Sequence, residues 1–140
     1  VVENQKEQQL KDVRELISAG RIEEEHFIEG YKVKLRTLTG DEVTEAFTAA
    51  QMLTGASNLA LAQAIKVEVV ARSLASVNGV PPESLYEGPE DNLTKNLERD
   101  KVIKKRWLAG SLQQKFINKL YDIYLSMDSR KEKAGDGLGE

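Results

Sequence analysis

The sequence predicts an α+β fold that is mostly α, with about five helices, an N-terminal β-hairpin and a short second hairpin near 75–82. Three observations carry this. Apolar residues recur at helical spacing in several long runs, best in Leu112, Phe116, Ile117, Leu120, Tyr121, Tyr124, Leu125 and Met127. Tyr31 to Arg36 alternate strictly, with Tyr31, Val33 and Leu35 on one face and Lys32, Lys34 and Arg36 on the other. Turn residues separate the runs: Gly20, Glu29-Gly30, Gly55, Asn78-Gly79 and Pro81-Pro82.

The first helix is expected over 3–19, where Leu10, Val13, Leu16 and Ile17 make a narrow stripe behind the polar lead ENQKEQQ and Gly20 is a left-handed stop. A hairpin follows over about 23–28 and 31–37. Its acidic strand, Glu23 to Glu25, faces Lys32, Lys34 and Arg36 across the ladder, and such pairs help to fix register. Thr39-Gly40-Asp41-Glu42 is a capping box opening a second helix to about Leu53, with Val43, Phe47, Ala50 and Leu53 inward. Ser57 is placed to cap a third helix, whose inward set is Leu59, Ala62, Ile65, Val69 and Leu74. Its Ala60, Ala64 and Ala71 suit packing on more than one side. A fourth helix is read over 90–108. Leu93, Leu97, Val102 or Ile103, and Trp107 face in; Lys95, Arg99, Lys101, Lys104, Lys105 and Arg106 face out; Gly110 breaks it. Ser111 caps the last helix. Residues 1–133 then form a single mostly helical domain with its hairpin at about 22–38, and the polar 134–140 a flexible tail.

A chain of 140 residues with 40% hydrophobic and 31% charged residues can build a core. The net charge of -3 gives no general attraction to nucleic acid or to an anionic membrane. With no cysteine there is no disulfide, thiolate metal site or thiol nucleophile, which fits a protein made in a reducing cytosol. No apolar run approaches the ~20 residues that span a bilayer. VVENQKEQQL lacks the basic start and apolar centre of a signal peptide.

The candidates for chemistry each have a plainer reading. His26 closes the run EEEH, but consecutive strand residues point to opposite faces and cannot converge on one metal ion. A solvated acidic hairpin edge, whose charge also discourages edge-to-edge pairing, is the plainer account. There is no GxSxG, GxxxxGK[ST] or GxGxxG, and GDGLG at 135–139 has no helix after it. KVIKKRW at 101–107 is basic with an aromatic end, but Glu98 and Asp100 precede it, so an ordinary charged helix face is favoured over a phosphate-binding one. The expectation is therefore no catalytic residue, no cofactor and no metal.

One ordered string goes further. A strand carries KLRTLTGDE into a helix, an alanine-rich helix ends in SVNGV, and a final helix carries INKLYDIYLSM. The string resembles the small tail-assembly and baseplate proteins of tailed bacteriophages. Leu35, Arg36, Leu38, Thr39, Gly40 and Glu42 match the first motif; Val77, Asn78 and Gly79 the second; Leu120, Tyr121, Tyr124 and Leu125 the third. The pattern spans about residues 28–128, with Thr37 where the motif has proline. The resemblance implies a non-enzymatic structural protein of the virion tail, in the baseplate or its hub, made in the host cytoplasm. Its partners would be other tail or baseplate proteins, with a homo-oligomer also compatible and no membrane contact. The alternative is a tail-assembly chaperone not retained in the particle, and the third reading a nucleic-acid-binding accessory factor using Lys101 to Arg106. The expected interaction residues are Tyr31, Val33, Leu35, Arg36, Trp107, Tyr121 and Tyr124.

Overall fold

The computed structural model describes residues 2–18, 21–54 and 58–138, with side chains over 4–15, 21–53 and 58–129. The order is α1 (Val2–Ser18), β1 (Glu23–Ile28), β2 (Tyr31–Arg36), α2 (Gly40–Thr54), α3 (Asn58–Ser73), β3 (Leu74–Val77), α4 (Leu97–Ser111) and α5 (Gln114–Leu138). Two short 3-10 turns, Pro82–Leu85 and Glu90–Asn92, lie between β3 and α4. The mostly helical α+β class and the N-terminal hairpin are as expected. The strands form one antiparallel sheet in the order β1-β2-β3.

Two-residue turns set the register. Glu29 and Gly30 have φ of 51° and 88°, and Asn78 and Gly79 have 51° and 78°. Positive φ at both central residues is the type I′ turn, whose twist matches that of its flanking strands. The first turn aligns Glu23 with Arg36 and Phe27 with Lys32. The second folds Val77 back on Val80, so the hairpin expected near 75–82 is a one-bridge excursion, and its first arm is the third strand of the sheet.

The sheet has one apolar face. Val33 and Leu35 pack there with Val70, Leu74, Ile117, Leu120 and Met127 in the main core. The other face carries the expected cross-strand pairs, Lys32 to Glu25 at 3.2 Å and Lys34 to Glu23 at 3.7 Å. A second cluster, Leu38, Ala46, Val69 and Tyr124, joins α2, α3 and α5. Contacts of Gln63 with Gln114 and of Lys66 with Asn118 set α3 and α5 side by side in the same direction. The last turns of α3 are enclosed on every side: Glu68 to Ser73 are all buried.

Several faces differ from the sequence reading. In α2 the buried residues are Ala46 and Ala50, while Phe47 and Leu53 are exposed. The alanines allow close backbone approach to α3, and the larger side chains have no room on that side. In α3, Leu59 and Ala62 are exposed because the first turns reach past the core, and Leu74 belongs to β3. α4 begins only at Leu97, after Asn96, whose side chain accepts from the Arg99 N–H, so Leu97 faces solvent in the first turn and Leu93 precedes the helix. Gly110 stays inside α4. The Ser111 hydroxyl donates to the Trp107 carbonyl within that helix, and α5 starts from Gln113, whose carbonyl accepts from Phe116 and Ile117. Along α5 the stripe is inward except Leu125, which is exposed. α5 remains helical to Leu138, into the segment read as a tail. Gly20, Gly55 and the Ser57 cap fall outside the described residues, as do the side chains of Leu16 and Ile17.

Candidate functional site

The capping box forms as the spacing demands. The Thr39 N–H donates to Glu42 Oε1 at 3.0 Å, and the Glu42 N–H donates to the Thr39 hydroxyl at 3.3 Å. Arg36 adds a fork, Nη1 and Nη2 reaching the two Glu42 oxygens at 3.0 and 2.6 Å, and so ties the end of β2 to the start of α2. Burial alone would raise the Glu42 carboxyl. The Arg36 guanidinium and the Thr39 donors outweigh it and hold the group at about 2. A pKa below the ordinary 4.5 means stability present above pH 4.5 and lost as the pH falls toward about 2. Glu42 is partly solvated, so its share after screening is on the order of 1–2 kcal/mol. Between pH 5 and 2.5 the urea midpoint of the wild type is expected to drop further than that of Glu42→Gln. Equal drops would separate the fork from acid sensitivity.

Below this clasp lies a charged cleft of about 350 Å3, lined by Arg36, Glu42, Glu45, Arg72, Glu83, Glu98, Lys101 and Lys105 among others. It continues into a wider groove between α2 and α4 that shares Glu45, Arg72, Glu98 and Val102. Arg72, in the lining, belongs to an ion network whose other members, Glu68 and Arg106, do not line the cleft. Glu68, only 3% exposed, accepts from Arg106 Nε at 2.7 Å and lies 3.6 Å from Arg72 Nη1. Arg72 also donates to the Glu68 carbonyl at 3.2 Å, while its buried Nε has no hydrogen-bond acceptor. Burial pushes the Lys105 ammonium below its ordinary range, and the nearby Arg36 charge adds to the shift. Of the basic run 101–106, Arg106 is therefore committed to Glu68, Lys101 lies 3.8 Å from Glu98, and Lys104 and Lys105 are half-buried. The outward face expected for Lys104, Lys105 and Arg106 is half enclosed because α4 packs against both α3 and the Pro82–Leu85 turn.

An apolar socket of about 410 Å3 opens between the sheet and the α4–α5 junction. Val33, Leu74 and Leu120 form its floor, with Leu108, Leu112 and Phe116 around it. Tyr31, 51% exposed, stands at the rim, its ring edge-on to Phe116 with centroids 6.3 Å apart. Beside it Glu29 meets Lys119 at 3.0 Å and Lys115 at 3.6 Å, fixing the hairpin tip to α5. These two lysines hold the Glu29 carboxyl below its ordinary value.

The expected interaction residues divide between surface and interior. Tyr31 is accessible. Val33 and Leu35 are core, and Arg36 is bound to Glu42. Trp107 is half-buried and packs edge-on against Tyr86 at 5.4 Å. Tyr121 and Tyr124 stack at 6.5 Å; Tyr124 is buried, which pushes its phenol up to about 12, with Asp128 adding to the shift. The Glu68–Arg72–Arg106 network escaped the sequence reading. Its signal was present, two charges four residues apart inside the apolar run VEVVARSL.

His26 Nε2 lies 3.0 Å from Glu24 Oε1 on one face of β1. Among the described residues no cluster of three metal-ligating side chains occurs, and no helix is long and apolar enough to cross a membrane. Comparison of the chain with protein families, curated proteins and solved structures returned no match.

Proposed function

We propose that this chain is a non-enzymatic structural protein of a bacteriophage tail, in the baseplate or its hub, acting through contacts with neighbouring tail proteins. The motif order KLRTLTGDE, SVNGV, INKLYDIYLSM supports the tail assignment. The observation that carries the interaction role is apolar surface left without a place in the core. Every described side chain of α1 is exposed, including Leu10 and Val13. At the α2–α3 end Leu53 and Leu59 are exposed, with Met52 at 84%. Exposed apolar residues grouped at two places mark protein contact surfaces.

Mass spectrometry of purified tails is expected to find the chain at a stoichiometric level. Its absence there, with capture of a tape-measure or tube protein from infected cells, would replace this reading with the assembly-chaperone one.

A further inference from the structure

We infer that the outer edge of β1 is a docking site for an extended, basic strand of a partner protein. The hydrogen-bond parity of the hairpin places it. The Thr37 N–H donates to the Ile22 carbonyl at 2.9 Å, so 22 and 37 form a hydrogen-bonded pair. In an antiparallel ladder such pairs alternate with non-bonded ones, so residues 24, 26 and 28 direct their backbone groups to β2. Glu23, Glu25 and Phe27 direct theirs outward. The sheet order ends at β1, so among the described residues no strand takes these three N–H and three carbonyl groups.

The side chains define the partner. Glu23, Glu25 and Phe27 stand on the solvent face, and Phe27 is 76% exposed. On the inner side the same face of β2 answers with Lys32, Lys34 and Arg36. A strand added outside would lie beside the carboxylates with no cation between, so lysine or arginine opposite Glu25 and Glu23 repeats the inner pairing. An apolar side chain opposite Phe27 covers the exposed ring. Read antiparallel, the partner motif is apolar-x-basic-x-basic, with a β-former at each x. A second copy of β1 is a poor occupant. Two-fold antiparallel pairing sets Glu25 or His26 opposite itself and gathers the glutamates of both strands along one seam. Glu23 and Glu25 thus favour one strand chemistry while rejecting like-charged edges.

The inference rests on the reading above only in taking the partner to be a protein. Absence from virions would remove the tail assignment and leave the edge untouched. The test uses the full chain with a capped peptide, FTKTKT, and amide hydrogen exchange read by NMR. At saturating peptide, exchange at Glu23, Glu25 and Phe27 is expected to slow about tenfold or more, while Glu24 and His26, already bonded to β2, change little. The acidic peptide FTETET should give no protection, and the Glu23→Lys/Glu25→Lys chain should reverse the preference. If that variant does not fold, the wild-type exchange pattern decides alone, with Phe27→Ala as a milder variant expected to weaken the protection. Unchanged exchange at the three amides, equal protection by the acidic peptide, or protection by raised protein concentration without peptide would each overturn the inference.

Discussion

Glu68→Gln is expected to lower folding stability by about 3–5 kcal/mol, the usual cost of removing one member of a buried ion pair. Glu68 is almost fully enclosed and accepts from Arg106 at 2.7 Å. Without its charge, Arg72, 9% exposed, keeps as its one carboxylate the solvent-exposed Glu45, 3.7 Å away. A guanidinium held inside the protein with that carboxylate and the Glu68 carbonyl as its partners recovers only part of its lost hydration. Domains are stable by about 5–15 kcal/mol, so this single change removes a large share of the total.

The network is not thereby a net source of stability. Replacing such a group as a unit by apolar residues of similar size is often neutral or favourable. The combination Glu68→Met, Arg72→Leu and Arg106→Met is therefore expected to regain most of what Glu68→Gln loses. Urea unfolding checks both, with the midpoint shifting and the slope unchanged. A loss below about 1 kcal/mol for Glu68→Gln would mean that water reaches the network freely. What the network supplies is a link: through Arg106 and Glu68 it joins α4 to α3.

Local rules made much of this fold readable. The hairpin follows from alternation and from Glu29-Gly30, and the capping box needs only residues 39–42. Such features depend on neighbours a few residues apart, which a sequence displays directly. The phase of α2 was not readable in that way. A period-3.6 count favours the large residues Phe47 and Leu53, whereas packing against α3 is set by how closely the two backbones approach, and this selects Ala46 and Ala50. The first turns of α3 fail for a related reason. Leu59 lies on the expected stripe but beyond the end of the core, and periodicity carries no information about where a core stops.

Charged and aromatic contacts over long separations were legible only as residue types. Glu68 and Arg72 show themselves in sequence as charges within an apolar run. Arg106, 38 residues away, is joined to them only by the packing of α4 on α3. The unpaired edge of β1 was readable in part. Alternation assigned side chains to faces, but which backbone groups point outward depends on the bonding parity of the ladder, fixed here by the Thr37–Ile22 bond.

Leu35→Ala is expected to cost about 2–5 kcal/mol, the range for deleting a fully buried leucine side chain. Leu35 is 0% exposed and sits in the main core with Val70, Leu74 and Leu120. Its loss leaves a cavity between a sheet and helices that cannot both close on it, because the hairpin is held by its ladder to β3 and by the Arg36–Glu42 fork. Tyr31→Ala, on the same face of the same strand but half-exposed at the rim of the socket, is expected to cost less than about 1 kcal/mol. Chemical denaturation of the two variants separates the roles that a resemblance had grouped together. A large loss at Leu35 with a small one at Tyr31 assigns Leu35 to the core and leaves Tyr31 available to a partner. The opposite order would mean that the rim of the socket, and not the core around Leu35, holds the hairpin on α5. In that case the Tyr31–Phe116 contact and the Glu29–Lys119 pair would anchor the sheet, and Tyr31 would not be free to leave Phe116 for a partner.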